Sequence, residues 1–414
     1  MKILFLNQAF YPDQAATAQV LLDLALYLKN EGHEISVISG RRGYDDRARE
    51  YSAYECYQGI HIHRARSTGL GKSSVIYRVI DSLTFDLFLV IKLIRFSKQD
   101  MVISFTSPPL IGFLGALFCF FRRCQNVQWL MDINPDAAMA VGYVGQKSIV
   151  GYLLKQALRF SLKSSHRVVV LDRWMKDRIT KKGVRADKIA VVPPWTVQAD
   201  LGRPASKREN FFRMKYGFDD QFLVMYSGNH SVVHPLDTLL GAAVELKNAS
   251  NIVFLFVGTG NRVADVLSAK KRYGLSNVIH LPRQPREELV SSLAAADLHV
   301  VIMGNSVSGL VHTSKIYGVL AAGKPYLFIG PKDSHVADLI VDYPFGYHVE
   351  HGNVEGVIKT IETVRNLSPE SLGVIASENQ ALVKTYFTPQ RVLESFHAQV
   401  LGPLPDKETI QFVA

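Results

Sequence analysis

Cysteine is nearly missing: Cys56, Cys119 and Cys124 are the only three in 414 residues. Three thiols cannot build a disulfide framework and no metal-ligand spacing accompanies them, so a reducing, cytosolic setting is expected. Long apolar runs are missing too. Residues 110–121 are strongly apolar, but a bilayer span takes about 20 residues, and Ser107-Pro108-Pro109 blocks extension backwards. The opening run, residues 1–6, turns polar at Asn7-Gln8; it is too short for a signal peptide and reads as a buried first strand. No short-period repeat or low-complexity tract is present. With 48% hydrophobic and 20% charged residues, wholesale disorder is excluded. The first half is also short of negative charge. Up to Ala190 there are 27 basic and 16 acidic residues, and beyond it 20 and 21. The first half thus carries the entire net charge of +10, and is expected to meet an anionic partner, either nucleic acid or a membrane. No basic motif interleaved with aromatics supports nucleic acid.

What is present is alternation of short apolar strands with helical patterns. Residues 2–7 read as a strand. In residues 15–32, Val20, Leu21, Leu24, Ala25 and Leu28 recur at helical spacing until Gly32 stops the helix, and residues 34–39 form the next strand. Strand, helix, strand within forty residues is a βαβ unit and implies a parallel sheet. Residues 101–105, 127–131, 166–171 and 189–192 continue it. The pattern restarts at Gln221, with strands at 222–226, 252–257, 278–281, 298–302 and 326–329 and helices at 235–248, 287–296 and 314–322. The expected architecture is α/β, two doubly wound domains facing a cleft, over residues 1–195 and 210–385. A polar linker from Pro193 to about Glu209 joins them, and a segment, 386–414, packs back towards the first. Residues 75–96 leave two readings open, a buried helix or one that dips into a membrane interface.

In such sheets ligands bind beyond the carboxyl ends of strands, so the strand-exit loops hold the candidate chemistry. Small residues at Ala15, Ala16 and Thr17 let a ligand approach the backbone; Asp13 or Thr17 equally suits ordinary capping of the helix. Asp132 and Asp136 leave another first-domain strand, where a carboxylate can orient or deprotonate a hydroxyl; Asp136 equally suits capping of the next helix. After the first strand of the second domain come Gly228, Asn229, His230 and His234, suited to an anion. Gly258-Thr259-Gly260 lacks the third glycine of a dinucleotide fingerprint, since Val263 stands in its place. His312, Thr313, Ser314 and Lys315 open a further helix. A lysine in a first turn is unfavourable for the helix dipole unless something negative sits opposite, either a diphosphate or a nearby carboxylate.

The series in order, Phe10-Tyr11-Pro12-Asp13, Glu31-Gly32-His33-Glu34, Asp132-Ile133-Asn134-Pro135-Asp136, Ser227-Gly228-Asn229-His230, Gly258-Thr259-Gly260, Ser314-Lys315-Ile316-Tyr317-Gly318 through Gly323-Lys324-Pro325, and Gly346-Tyr347-His348-Val349, resembles the large retaining glycosyltransferase family of GT-B fold. It is similar in particular to the branch that builds exopolysaccharide and O-antigen chains, and the likeness spans nearly the whole chain. The resemblance implies two Rossmann-like domains and transfer of a sugar, with retention, from a nucleotide diphosphate donor on the second domain to a glycan or lipid-linked acceptor on the first. It implies no metal and no other cofactor, and a peripheral position on the cytoplasmic face of the plasma membrane. Asp132 and Lys315 are then the catalytic candidates. The donor contacts would come from Gly228, Asn229, His230, His234, Gly258, Gly260, His312, Thr313, Ser314 and Lys315, and the acceptor side from Ala15, Ala16, Thr17 and Asp136. The chain departs from the family where a glutamate pair falls on Leu310 and Gly318, an Arg-Lys pair on Asn229 and His234, and a histidine on Met131. Lys315 with His234 and Asn229 is expected to replace the lost diphosphate contacts. A nucleotide-sugar 2-epimerase, which needs no acceptor, and a non-catalytic partner subunit, which need not bind a nucleotide sugar, are the alternatives.

Overall fold

The computed structural model describes residues 1–44, 48–71, 74–195, 207–249 and 251–402. They form two compact units, one of residues 1–194, 310–312 and 392–402, the other of Trp195, 207–309 and 313–391. Most of the expected linker lies outside the described residues.

The first unit is built on β1 (Lys2–Leu6), β2 (Glu34–Gly40), β3 (Tyr54–Tyr57), β4 (Ile60–Ala65), β5 (Met101–Ser104), β6 (Gln125–Trp129), β7 (Arg167–Val170) and β8 (Ile189–Val191). Their order across the sheet is β3-β4-β2-β1-β5-β6-β7-β8, parallel except for the β3–β4 hairpin. Central strands such as β5 and β7 are buried along their whole length, which is why most of each, residues 101–103 and 168–170, reads as an apolar run. The hairpin is absent from the sequence reading. Its strands carry Tyr54, Glu55, Cys56, Tyr57, His61 and His63, too polar for a run, and their buried hydrophobic residues are only Ile60, Ile62 and Ala65. Gln58 and Gly59, with φ of 49° and 83°, supply the two left-handed residues that a two-residue hairpin turn needs.

The long helix Val75–Arg95 starts at Ser74, whose hydroxyl accepts from the Tyr77 amide at 3.1 Å. Phe85, Leu89 and Leu93, four residues apart, pack with Leu4, Leu6, Val102, Ile111 and Phe118 in one core cluster. One face of this helix is therefore buried. Residues 392–402 also join this unit: Phe396 stacks on Trp129 at 4.8 Å, and the Arg167 guanidinium donates to the Gln399 carbonyl at 3.1 Å.

The second unit holds β9 (Phe222–Ser227), β10 (Ile252–Val257), β11 (Val278–Leu281), β12 (Leu298–Ile302), β13 (Tyr326–Ile329) and β14 (Gly346–Val349). The sheet is wholly parallel in the order β11-β10-β9-β12-β13-β14. Strand β14 was not anticipated as a strand because its Gly346-Tyr347-His348-Val349 is only half-buried at three of four positions. The chain winds outward from β9 to β11, then crosses back to lay β12 on the other side of β9. Strand exits diverge at this reversal, and open parallel sheets receive ligands there.

Candidate functional site

The exits of β9, β10 and β12 converge on a compact loop assembly within the second unit. After β9, the Gly228 amide donates to the Val257 carbonyl at 2.8 Å and the His230 amide to the Thr259 carbonyl at 2.8 Å. This seats the β9 loop directly on the β10 loop. Gly258 and Gly260 have φ of 137° and 145°, and a Cβ on either would collide with the carbonyl oxygens of Gly228 and His230 respectively. Their missing side chains make room for protein backbone, so both are packing positions. Gly318, mid-helix in Lys315–Ala321, contrasts with them: a Cβ there would meet only a Leu293 methyl, at 3.5 Å. Gly258→Ala is therefore expected to lower stability by about 2–4 kcal/mol, whereas Gly318→Ala should raise it by up to about 1 kcal/mol. Denaturant midpoints of the two variants check the contrast.

The two histidines of the β9 loop have structural partners. His234 Nδ1 lies 2.7 Å from the Ile302 carbonyl at the end of β12, and the ring is buried. Burial, with the Lys315 ammonium nearby, lowers its pKa well below the usual value. It ties β9 to β12 at the switch point and has no charge to offer a diphosphate. His230 is fully buried with Nδ1 3.0 Å from the Gly228 carbonyl, and its Nε2 has no partner. Burial and then Lys315 push its pKa down to about 4, so it too is neutral. Asn229 is exposed, and its carbonyl, not its side chain, faces Lys315.

Lys315 is the electrostatic centre of this assembly. Its ammonium donates to the Tyr226 hydroxyl and, at 3.1 Å, to the Asn229 carbonyl, and lies 4.3 Å from the centre of the Tyr226 ring. Tyr226 passes the bond on, donating to the same carbonyl at 2.8 Å. None of these partners carries a negative charge. Burial alone pushes the Lys315 pKa down to about 7, and no carboxylate opposes the shift. Of the two explanations for a lysine at this position, a neighbouring Asp or Glu is thus absent among the described residues. Ser314, the residue before the helix, makes no capping bond, and Thr313 is buried with its hydroxyl unpaired.

A second constellation lies wholly in the first unit, and it includes residues that the sequence order places elsewhere. Residues 310–312 join this unit because they pair with the β6 exit: Asp132 and Val311 form an antiparallel bridge, and the Ile133 amide donates to the Leu310 carbonyl at 2.8 Å. His312, expected among the donor contacts, is buried here with Nδ1 2.7 Å from Asp172. The other oxygen of Asp172 accepts from the Met175 amide at 2.8 Å, capping the helix Arg173–Lys181. Burial pushes the Asp132 carboxyl up to about 6, with His312 pulling the other way. Asp136 does not cap its helix, whose N-cap is Pro135; it forms an ion pair with Lys182.

At the first strand exit, Asp13 does not cap the helix Ala16–Asn30 either. It accepts from the Tyr44 amide at 2.9 Å and the Tyr51 hydroxyl at 3.0 Å. Ala15, the N-cap, has no side-chain bond, and Ala16 and Thr17 form the open first turn. Sequence reasoning missed Tyr226 and Asp172. Tyr226 ends an apolar strand and looks like core. Asp172 carried a legible signal, a carboxylate directly after the apolar run of β7, in the same kind of position as Asp132.

Residues 16–195 match the model of the glycosyl transferase 4-like domain. A probable glycosyltransferase, WbjE, of Pseudomonas aeruginosa is 24% identical over 309 residues, 74% of this chain and 75% of that protein. Among solved structures, Anabaena HepE in complex with UDP-glucose is similar over 97% of this chain and 100% of its own, with a TM-score of 0.72 and 18% identity. WaaG, a glycosyltransferase involved in lipopolysaccharide biosynthesis, is similar over 96% of this chain and 99% of its own, with a TM-score of 0.71 and 15% identity. The two parallel-sheet units share the GT-B fold of these proteins.

Proposed function

We propose that the chain, which has the GT-B fold, is a group 1 glycosyltransferase that transfers a sugar with retention from a nucleotide diphosphate donor, held by the second unit, to a glycan or lipid-linked acceptor met by the first. The observation that carries this reading is Lys315, an ammonium at the topological switch point with hydrogen bonds but no counter-charge. A diphosphate supplies the missing charge, and its stabilisation as the leaving group is where catalysis of glycosyl transfer gains most. Lys315 takes the place of the absent Arg-Lys pair, with Asn229 and Ser314 exposed beside it. No metal is required in this scheme, so chelator should leave turnover intact.

On the acceptor side, Asp132 is the group that takes the hydroxyl proton as the acceptor oxygen bonds to the anomeric carbon on the same face from which the diphosphate departs, the course that keeps the configuration. A carboxyl with a pKa of about 6 is well matched to that role near neutral pH. Asp172 holds His312 beside it as a positioning pair, and the open turn at Ala15, Ala16 and Thr17 lies on the same unit. The UDP-glucose bound by HepE and the lipopolysaccharide role of WaaG support a nucleotide sugar and an envelope glycan. The basic first half supports an acceptor presented at the cytoplasmic face of the plasma membrane.

The test is release of nucleotide from a panel of nucleotide sugars, UDP-glucose first, with and without lipid extract as acceptor. Release that depends on the extract, with the donor's anomeric configuration kept in the product, is expected. Conversion of free nucleotide sugar without acceptor would identify an epimerase instead.

A further inference from the structure

The helix Val75–Arg95 has two apolar faces. Phe85, Leu89 and Leu93 are buried, but Ile76, Ile80, Leu83, Leu87, Ile91 and Ile94, also three or four residues apart, are exposed; Ile76, Leu87 and Ile94 are 69%, 58% and 68% exposed. This stripe runs the length of a helix of 21 residues, about 31 Å. Ordinary surface helices are polar on that side. The helix Ile149–Lys163 of the same unit adds Ile149, Val150, Tyr152 and Leu153, and the end of Ile111–Arg122 adds Phe120 and Phe121, all exposed.

Between the three helices lies an open groove of about 610 Å³ lined by Leu83, Leu87, Phe113, Leu114, Leu153 and Phe160, among others. Two polar side chains line it, Gln156 and Asp86. Asp86 is 7% exposed and its Oδ1 has no partner. Burial pushes its carboxyl up to about 7, so it is often neutral at neutral pH and tolerates hydrocarbon beside it.

Charge around this face has one sign. The three helices carry exposed Arg78, Arg95, Arg122, Lys155, Arg159 and Lys163, while their carboxylates, Asp81 and Asp86, are both buried. An apolar face of this size marks an interaction surface. A second copy of the chain would set cation against cation, so the charge favours an anionic occupant. No described helix is long and apolar enough to cross a membrane, which leaves a face that lies on one.

We propose that this three-helix face docks on an anionic lipid bilayer, with the groove taking one hydrocarbon chain. The proposal rests on the reading above only for the lipid-linked acceptor, which would then be delivered along the bilayer plane to the first unit. The apolar stripe supplies burial and the basic rim supplies attraction to an anionic surface.

The experiment is sedimentation of the full chain with phosphatidylcholine vesicles, with or without phosphatidylglycerol, at low salt. The wild type is expected to sediment with the anionic vesicles. Leu83→Glu with Leu87→Glu, both exposed positions, should weaken that binding at least tenfold and leave UDP-glucose binding unchanged. A Leu87→Trp variant should be quenched by lipids brominated in the acyl chain. Equal sedimentation of wild type and double variant, absence of wild-type binding, a lack of quenching, or a wild-type dimer that the double variant dissociates would each overturn the proposal. UDP-glucose binding without vesicle binding condemns only this surface, whereas vesicle binding without UDP-glucose binding condemns only the donor reading.

Discussion

Lys315→Met is expected to weaken UDP-glucose binding by roughly a hundredfold and at the same time to raise the melting temperature of the unliganded protein at pH 7. The two effects have one cause. An ammonium that bonds to the Tyr226 hydroxyl and the Asn229 carbonyl, with no carboxylate facing it, keeps its hydrogen bonds but not its solvation. Methionine has a similar shape and no charge to desolvate, and Tyr226 retains its bond to the Asn229 carbonyl. Lys315 is only partly buried, so solvent screening reduces the cost to the order of 1 kcal/mol, worth about 2–4 °C in a domain of this size. A charge-assisted bond to phosphate contributes up to about 3 kcal/mol, which is the expected loss in donor binding. The pH dependence has a definite sign. The folded pKa lies below that of the unfolded chain, so below about pH 7 both states are protonated and the full cost of the charged group is present. As pH rises above 7 the native state loses its proton first and stability recovers. Differential scanning calorimetry at pH 6.5 and 8.5 should show the gain from Lys315→Met shrinking at the higher pH. A lower melting temperature in the variant would mean that the lysine is structural.

Asp132→Asn is expected to lower kcat by about 10² to 10⁴, the range for loss of a general base, and to leave donor affinity within about twofold. The substitution keeps the side-chain shape, and the backbone links of Asp132 to Val311 and of Ile133 to Leu310 do not involve the carboxylate. Asp172→Asn gives an independent readout. Asparagine caps the helix Arg173–Lys181 about as well as aspartate, so folding is preserved, but His312 loses its carboxylate. Without that partner the His312 ring is no longer held beside Asp132 and its lowering influence on the Asp132 carboxyl weakens, so the acid limb of the kcat profile, expected near pH 6 in the wild type, should move upward. Activity at pH 6 then falls while activity at pH 8 is largely kept. A uniform loss at all pH values would make Asp172 a structural residue and leave Asp132 without its neighbour's influence.

Most of the architecture was legible because buried parallel strands are simply apolar runs. β9, β10, β12 and β13 were found at or within one residue of their observed limits. The hairpin of β3 and β4 was not, because edge strands alternate and here alternate with histidine, tyrosine and glutamate. In the site, the sequence singled out Lys315 by an argument about the helix dipole. The helix Lys315–Ala321 proves only seven residues long, and the informative feature is instead the side chain folded back over Tyr226. His312 shows the limit of reading loops in chain order. Its neighbours Ser314 and Lys315 stay with the second unit, while it pairs with Asp172, 140 positions earlier. No periodicity encodes such a contact. The glycines at 258 and 260 are read from the sequence as donor contacts, but the close neighbour is the β9 loop.

The central claim is that Lys315 is the cation a donor diphosphate completes. It is tested most directly by calorimetric titration of UDP-glucose at pH 8 in two buffers of different ionisation enthalpy, which counts the protons taken up on binding. The diphosphate ester itself does not titrate there. With a free pKa of about 7, Lys315 is mostly neutral at pH 8, and the donor should draw close to one proton onto it. The same titration of Lys315→Met should show weak binding and no uptake. Tight binding by the wild type with no proton taken up, or equal uptake by the variant, would contradict the account.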